Sequence, residues 1–333
     1  MISKQALQDA VQHKLLQPEQ LEPLFIFLNN AEQLPIRSDD FPNEPIRFVR
    51  SFGDVFITLG VFLLAYAVTL TSISNIQYWI PVVSFIALAE WLVRIRQLVL
   101  PGMALLITIL YFSYQALSLD YTSDAFYGIA ALSAFSLLFY LRYRMPFSIF
   151  PFTLGSVALV INKLGFDIFQ QPIILTFIGF IVFVVAMSFD VRDIKRQSHL
   201  SDTAFWLHLI ASPLMVHGIM ASLLLTDQQW LQGIPFEAFI LVLFSAFFLL
   251  ALLVDRRAMI ISTQLYVLYA ITQLVQKQLS NTEHVLTIVL YALALFVIIS
   301  GTYWYKIRSL IFGFLSTSSI SRYLPSFALT DHS

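Results

Sequence analysis

Two histidines, His208 and His217, lie within one long apolar stretch of the sequence, where an imidazole could carry a proton, bind a metal ion or act as a general base. Ionisable groups inside a bilayer are candidates for function because charge in hydrocarbon costs several kcal/mol. The two histidines are nine residues apart, which on one helix puts them on opposite faces and roughly 13 Å apart along the axis. They therefore cannot share one metal ion within that helix. Ser212 lies on the face of His208 and allows a small polar site there, but a hydrogen bond from each histidine to a neighbouring helix is the favoured interpretation.

A second set of candidates forms neutral polar faces on two apolar segments. These intramembrane positions are Thr108, Tyr111 and Gln115 in the third segment, and Ser262, Tyr266, Tyr269, Gln273 and Gln276 in the ninth. A polar face on a membrane helix must turn away from lipid, either to line a wet cavity or to bond across a helix interface. Interface packing is favoured because every member is uncharged and tyrosine commonly packs between helices.

Two short patterns recur along the chain. Residues 108–114 match residues 263–269 at four of seven positions, and the Arg-x-Arg pairs at 94–96 and 142–144 are 48 residues apart. These matches suggest duplicated two-helix units.

The motifs of several enzyme and metalloprotein classes are absent from the sequence. It contains no glycine-rich phosphate loop, no His-Glu-x-x-His, no Gly-x-Ser-x-Gly and no cysteine. We therefore assign no catalytic, cofactor-binding or metal-binding residue and expect no cofactor.

The composition predicts an all-α integral membrane protein. Hydrophobic residues make up 58% and charged residues 12% of the 333 residues, against about 45–50% and 25% in soluble domains. The excess has to face lipid, and helices are the open-ended structures that satisfy their backbone there. The net charge of −1 indicates no nucleic-acid partner; the expected partner is the lipid bilayer.

Apolar runs separated by brief polar breaks predict about ten membrane-spanning helices. The predicted segments are Phe52–Leu70, Tyr78–Val93, Leu98–Leu119, Ala125–Leu141, Phe147–Ile161, Pro172–Phe189, Thr203–Leu225, Phe236–Val254, Met259–Gln276 and Val285–Tyr305. No Asp, Glu, Lys or Arg lies near the middle of any of them, which argues against the common carboxylate-based proton coupling.

The positive charges predict the orientation of these segments. With the N-terminus in the cytoplasm, 17 of the 19 Lys and Arg residues fall in cytoplasmic segments, and Lys163 and Lys277 are the two outside. Both termini are therefore expected in the cytoplasm. At the cytoplasmic edge, the spacing predicts helical ion pairs between Glu90 and Arg94 and between Arg50 and Asp54.

The chain divides into three predicted parts. Residues 1–50 form a cytoplasmic pair of short helices and a proline-broken linker, residues 51–306 form the transmembrane helical domain, and residues 307–333 form a cytoplasmic tail.

The N-terminal part carries a resemblance to a known family. Leu15-Leu16-Gln17-Pro18-Glu19-Gln20-Leu21 at the helical turn, followed by a proline-broken linker and Arg47-Phe48-Val49-Arg50-Ser51-Phe52-Gly53, resembles the bacterial membrane family called domain of unknown function 2157. The resemblance covers about the first 70 residues, and His13-Lys14 replace the glycine usual before Leu-Ile at the turn. It implies a multi-pass bacterial inner-membrane protein with no assigned activity.

Three functions stay open at this point. The first is passage of a small solute through a neutral polar path. The second is a non-catalytic role as a membrane partner or assembly protein, acting on another membrane protein through the N-terminal helices. The third is a membrane-embedded enzyme that uses His208 or His217.

Overall fold

The computed structural model of the chain is helical throughout the part that it describes. The described residues are 7, 11, 13, 16–18, 20–21, 24–25, 49, 51–71, 75–117, 125–165, 167, 170–194, 196, 198–225, 236–257, 259–260, 263–264, 266–268, 271–272, 285–319 and 323–325. Within these ranges every regular element is a helix, which confirms the predicted all-α class. The ninth predicted segment, Met259–Gln276, lies largely outside them.

Ten α-helices are bounded within the described residues. They are α1 Phe52–Thr69, α2 Trp79–Ala89, α3 Val99–Ala116, α4 Ala125–Tyr143, α5 Ile149–Leu164, α6 Ile173–Arg192, α7 His199–Leu225, α8 Phe236–Val254, α9 Val285–Thr302 and α10 Trp304–Phe312. A wider helical turn, Glu90–Ile95, extends α2 at its C-terminal end.

Among the described residues, seven helical stretches are long and apolar enough to cross a membrane: α1, α2 with its flanking turns, and α3 to α7. The stretch 287–316 qualifies as an eighth if its two helices, which meet at a 76° bend, form one broken span. Residues 238–254 form a shorter apolar helix. Large apolar side chains such as Phe56, Leu63 and Phe177 are exposed on these helices, as expected for surfaces that face lipid.

The contacts divide the chain into two compact units. One comprises residues 1–43 with 329–333, and the other comprises residues 44–328. In the first unit the helical positions among the described residues are Leu7, Val11, Pro18, Gln20, Leu21, Leu24 and Phe25. These positions fall within the two short helices that the sequence predicts, at about Ser3–Leu15 and Pro18–Leu28. The second unit holds all the bounded helices.

Successive helices pair as hairpins, and α6 with α7 makes the most extensive contact in the described part. Glycines allow this close approach. A Cβ added to Gly179 of α6 would lie 2.8 Å from the backbone nitrogen of Met215 in α7, and one added to Gly218 of α7 would lie 2.5 Å from the backbone nitrogen of Thr176 in α6. Small residues let two membrane helices bring their backbones together, so these glycines set the spacing of the pair.

A left-handed residue follows each even-numbered helix from α2 to α8. Among the described residues, four that are not glycine have positive φ: Gln97 at 54°, Arg144 at 50°, Arg196 at 52° and Asp255 at 60°. Such a residue commonly ends a helix and reverses the chain. All four connections are those that the positive charges predict to be cytoplasmic.

Candidate functional site

His208 lies inside the bundle and forms a hydrogen bond with an aspartate of the neighbouring helix. Its Nε2 atom is 2.8 Å from Oδ2 of Asp190, and its side chain is fully buried. Side chains on a helix tilt toward the N-terminal end, so the imidazole on α7 reaches back toward the last turn of α6, where Asp190 is. Because a carboxylate only accepts hydrogen bonds, this contact assigns the proton to Nε2 in the neutral ring.

Arg256 holds the same carboxylate from the other side. Its Nε donates to Oδ2 of Asp190 over 3.2 Å and its Nη2 donates to Oδ1. Nη2 also donates to the carbonyl oxygen and the hydroxyl of Ser201, at 3.1 and 2.9 Å. The side chain of Arg256 is only 2% exposed. A buried carboxylate is thus shared by an imidazole and a guanidinium, and we call Asp190, His208 and Arg256 the buried centre.

A second buried ion pair lies one residue along the chain from Arg256. Nη1 of Arg196 is 3.1 Å from Oδ2 of Asp255, and its Nη2 donates to the carbonyl oxygen of Asp255 over 2.7 Å. The indole nitrogen of Trp304 donates to Oδ1 of Asp255 over 2.6 Å. Arg308 donates through Nε to the carbonyl oxygen of Leu252 over 2.8 Å.

These contacts explain why three arginines can be buried beside only two aspartates. Carbonyl groups at the end of α8 have no partner within the helix and carry the negative end of its dipole. Arg196 donates to the carbonyl oxygens of Val254 and Asp255, and Arg308 donates to that of Leu252, so the cationic side chains cap the end of α8. Asp190 and Asp255 supply the formal negative charge. The second ion pair therefore stabilises the contact between the end of α8 and the start of α10.

The second nitrogen of His208 distinguishes the buried centre from a purely structural ion pair. Nδ1 has no hydrogen-bond partner among the described residues, although it is buried. The ring packs edge-on against Phe183, with 5.3 Å between ring centroids. A buried polar atom without a hydrogen bond costs about 1–3 kcal/mol. A ligand or a proton that binds at Nδ1 of His208 would remove that cost.

Ser212, which the sequence places on the same helix face as His208, forms a hydrogen bond to a different segment of the chain. The Ser212 hydroxyl donates to the carbonyl oxygen of Met259 over 2.6 Å, so it ties α7 to the start of the ninth predicted segment. The small polar site expected around His208 is completed by Asp190 and Arg256 instead.

His217 lies on the opposite side of α7, as the nine-residue spacing predicts. It is exposed, and its Nδ1 is hydrogen-bonded to the hydroxyl of Tyr266. The structure therefore joins two predicted site residues from the seventh and ninth segments. The other ninth-segment candidates, Ser262, Tyr269, Gln273 and Gln276, lie outside the described residues.

The third-segment candidates form hydrogen bonds within their own helix. The Thr108 hydroxyl is buried and donates to the carbonyl oxygen of Leu105 over 2.9 Å. Gln115 donates to the hydroxyl of Tyr111 over 3.3 Å, and Tyr111 is 44% exposed. These hydrogen bonds lie within α3 and do not link it to the ninth segment.

A cavity of about 420 Å³ lies between α1 and α2, away from these polar groups. Its lining includes Leu64, Val68, Pro81, Phe85 and Leu88. Such a lining suits hydrocarbon rather than a polar solute.

Sequence reasoning missed four of the charged residues that the structure brings together. Asp190 falls one residue beyond the predicted sixth segment, and Asp255 and Arg256 fall just beyond the eighth, so all were placed in water. Arg196 was counted as a cytoplasmic loop charge. The sequence does contain a signal for these residues. Asp190 and Asp255 each follow an apolar run and lie next to or near an arginine, a placement that allows a buried ion pair.

The described residues contain no group of three His, Asp or Glu side chains that could hold a metal ion. The chain matches no family model, no curated protein and no solved structure.

Proposed function

We propose that the protein passes protons, as the smallest solute, across the inner membrane of a bacterium, and that His208 binds and releases them. In this proposal the chain crosses the bilayer ten times with both termini in the cytoplasm. The seven candidate spans among the described residues, and the placement of 17 of the 19 Lys and Arg residues in alternate connections and the termini, support that topology.

The observation that carries the proposal is the asymmetric environment of the His208 ring. Nε2 is fixed by Asp190, whereas Nδ1 is buried without a partner in the described part of the chain. An imidazole that is held at one nitrogen and open at the other can accept a proton at the open nitrogen and donate one from the held nitrogen.

The proton balance of such a step is simple. A proton arriving at Nδ1 forms an N–H bond and makes the ring an imidazolium beside the Asp190 carboxylate. Breaking the Nε2–H bond then transfers a proton to Asp190, which releases it toward the end of α6, and the ring is left with its proton on Nδ1. Exchange with one water molecule, which accepts the proton from Nδ1 and returns one to Nε2, restores the starting tautomer. One proton enters and one leaves.

In this scheme Arg256 balances the charge of the Asp190 carboxylate. Its guanidinium neutralises the Asp190 carboxylate while His208 is neutral, so the resting centre carries no net charge. It therefore favours the ionised carboxylate, from which a received proton departs readily.

The test is proton flux into proteoliposomes that contain the purified protein and a trapped pH-sensitive dye, driven by a potassium gradient with valinomycin. We expect wild-type flux several-fold above that of protein-free liposomes, and His208→Gln flux at the protein-free level. His199→Gln, which makes the same change at the start of the same helix, serves as the matched control and retains the flux.

Two outcomes contradict the proposal: wild-type flux no greater than that of protein-free liposomes, or equal flux in wild type and His208→Gln. Gel-filtration profiles and thermal midpoints of the variants identify a loss of flux that arises from misfolding.

A membrane-embedded enzyme is a second candidate, because an aspartate that orients an imidazole is also the arrangement of a general base. The nearby hydroxyls of Ser201 and Ser212 are engaged by Arg256 and Met259, so His208 would activate water rather than a serine. This candidate predicts a phenotype for His208→Gln with no proton flux in wild type. The partner-protein function depends on residues 1–48, whose deletion would change the set of co-purifying membrane proteins.

A further inference from the structure

Four arginines gather at two connections on the same side of the bundle. Arg94 and Arg96 follow α2, and Arg142 and Arg144 lie at the end of α4 and just after it. All four side chains are exposed. Both connections reverse the chain at a left-handed residue, Gln97 in the first and Arg144 in the second, so the arginines are held at the ends of adjacent membrane helices.

One carboxylate joins the two connections. Arg142 donates to Glu90 through Nε and Nη2, over 2.9 and 3.0 Å to the two carboxylate oxygens, and Arg94 donates to Glu90 over 3.3 Å. The Tyr143 hydroxyl donates to the same carboxylate over 3.1 Å. Two guanidinium groups therefore share a single negative charge, and their positions are fixed relative to each other.

The other two arginines keep their charge uncompensated. The guanidinium groups of Arg96 and Arg144 make no ion pair and no hydrogen bond within the described part of the chain. Two of the four guanidinium groups thus share one carboxylate and two have no counter-ion among the described residues, which leaves an excess of positive charge at this edge. Arginine matches phosphate well because its planar fork donates two parallel hydrogen bonds.

Exposed apolar side chains lie beside these arginines. Ile95 is 71% exposed, Leu141 is 64% exposed and Trp91 is 54% exposed. Each is within three residues of an arginine in the cluster. Tryptophan is typical of the membrane interface, and the aliphatic side chains offer contact to acyl chains. The surface is therefore cationic at the helix ends and apolar just below them.

We propose that Arg94, Arg96, Arg142 and Arg144 form a binding site for the phosphate headgroup of an anionic phospholipid of the surrounding bilayer. Its acyl chains lie along Trp91, Ile95 and Leu141. The amphiphilic surface selects a lipid over a free phosphate because only a lipid satisfies both the cationic and the apolar part. This site is separate from the buried centre, and its test does not depend on proton flux.

The experiment is a lipid titration of the purified full-length protein in detergent, with bound lipids counted by native mass spectrometry. Phosphatidylglycerol is compared with zwitterionic phosphatidylcholine. We expect preferential binding of phosphatidylglycerol by wild type, and binding roughly thirtyfold weaker in Arg96→Gln/Arg144→Gln. Inorganic phosphate at the same concentration leaves the bound lipid in place.

A matched double variant separates this site from general attraction of positive charge. Arg192→Gln/Lys306→Gln removes two exposed cations from connections predicted on the same membrane side and retains the wild-type preference. Equal losses in the two double variants, or no preference for phosphatidylglycerol in wild type, overturn the proposal. Displacement by inorganic phosphate also overturns it, because the ligand would then be a free anion.

Discussion

Asp190 and His208 are 18 residues apart in the chain, yet their side chains are in hydrogen-bond contact, 2.8 Å from Oδ2 to Nε2. The contact joins the last turn of α6 to the middle of α7. The sequence alone presents His208 as an isolated histidine, whereas in the structure it belongs to a buried ionic group.

Asp190→Asn is expected to destabilise the protein by about 3–5 kcal/mol, because it leaves the buried Arg256 without its counter-charge. Chemical unfolding in detergent micelles measures this loss. The double variant Asp190→Asn/Arg256→Met is expected to lose less than the sum of the two single variants, since it removes both charges. Strict additivity would contradict a direct interaction.

Gly218→Ala is expected to destabilise the α6–α7 pair by about 1–3 kcal/mol, because the added Cβ would press on the backbone of Thr176. The thermal midpoint in detergent is the measurement. Gly60→Ala on α1 is the control, since nothing lies within 4 Å of its added Cβ. That change is expected to be neutral or slightly stabilising, as for alanine in an open helix position. Equal losses in the two variants would show that packing is not the cause.

Trp304→Phe is expected to cost about 1–3 kcal/mol, because it removes the indole donor from the buried Asp255 carboxylate while keeping an aromatic ring. Unfolding followed by circular dichroism gives the loss. Trp91→Phe, at an exposed position, is expected to leave stability unchanged. A loss at Trp91 as large as at Trp304 would argue that ring size, and not the hydrogen bond, accounts for the effect.

Glu90→Gln is expected to change lipid binding more than stability. Glu90 and its two arginine partners are solvent-accessible, and exposed ion pairs contribute little to folding. Removing the carboxylate frees Arg94 and Arg142 for phosphate, so the affinity for phosphatidylglycerol should rise several-fold in the same titration. Weaker phosphatidylglycerol binding would mean that Glu90 acts mainly by positioning the arginines.

Hydrophobic patterning predicts much of the helical part of the fold. Predicted segment eight, Phe236–Val254, coincides with α8, and the starts of α1 and α4 are also correct. The predicted ion pair between Glu90 and Arg94 is confirmed. The corresponding pair of Arg50 with Asp54 involves Arg50, which lies outside the described residues.

One difference is that the predicted tenth segment, Val285–Tyr305, is broken between α9 and α10 by a 76° bend. Other differences occur where charged residues continue a helix. Helix α6 runs to Arg192 and α7 begins at His199, beyond the apolar runs on which the predicted ends depend. Hydropathy ends a span at the first charge because it counts each residue as if it faced lipid. Here the charges face one another across helices, and that pairing depends on which helices are neighbours, information that one sequence does not contain.

The candidate site, like the fold, could be predicted only in part from the sequence. His208 could be chosen from the sequence because a histidine in an apolar run stands out by its type alone. Its partners could not, because Asp190 and Arg256 are 66 residues apart and each resembles an ordinary loop charge. The neutral polar face of α3 was also recognised, but its hydrogen bonds remain within that helix.

The glycine contacts between α6 and α7 have a mechanical consequence for the proposed proton transfer. Backbones packed this closely cannot slide past each other without collision, so the hairpin behaves as one rigid body and keeps its donor–acceptor pair in register. Any gating movement must then occur across the boundary with α8, where Arg256 is attached. Withdrawal of that guanidinium would alter the electrostatic field at the carboxylate while the proton-transfer distance stays constant.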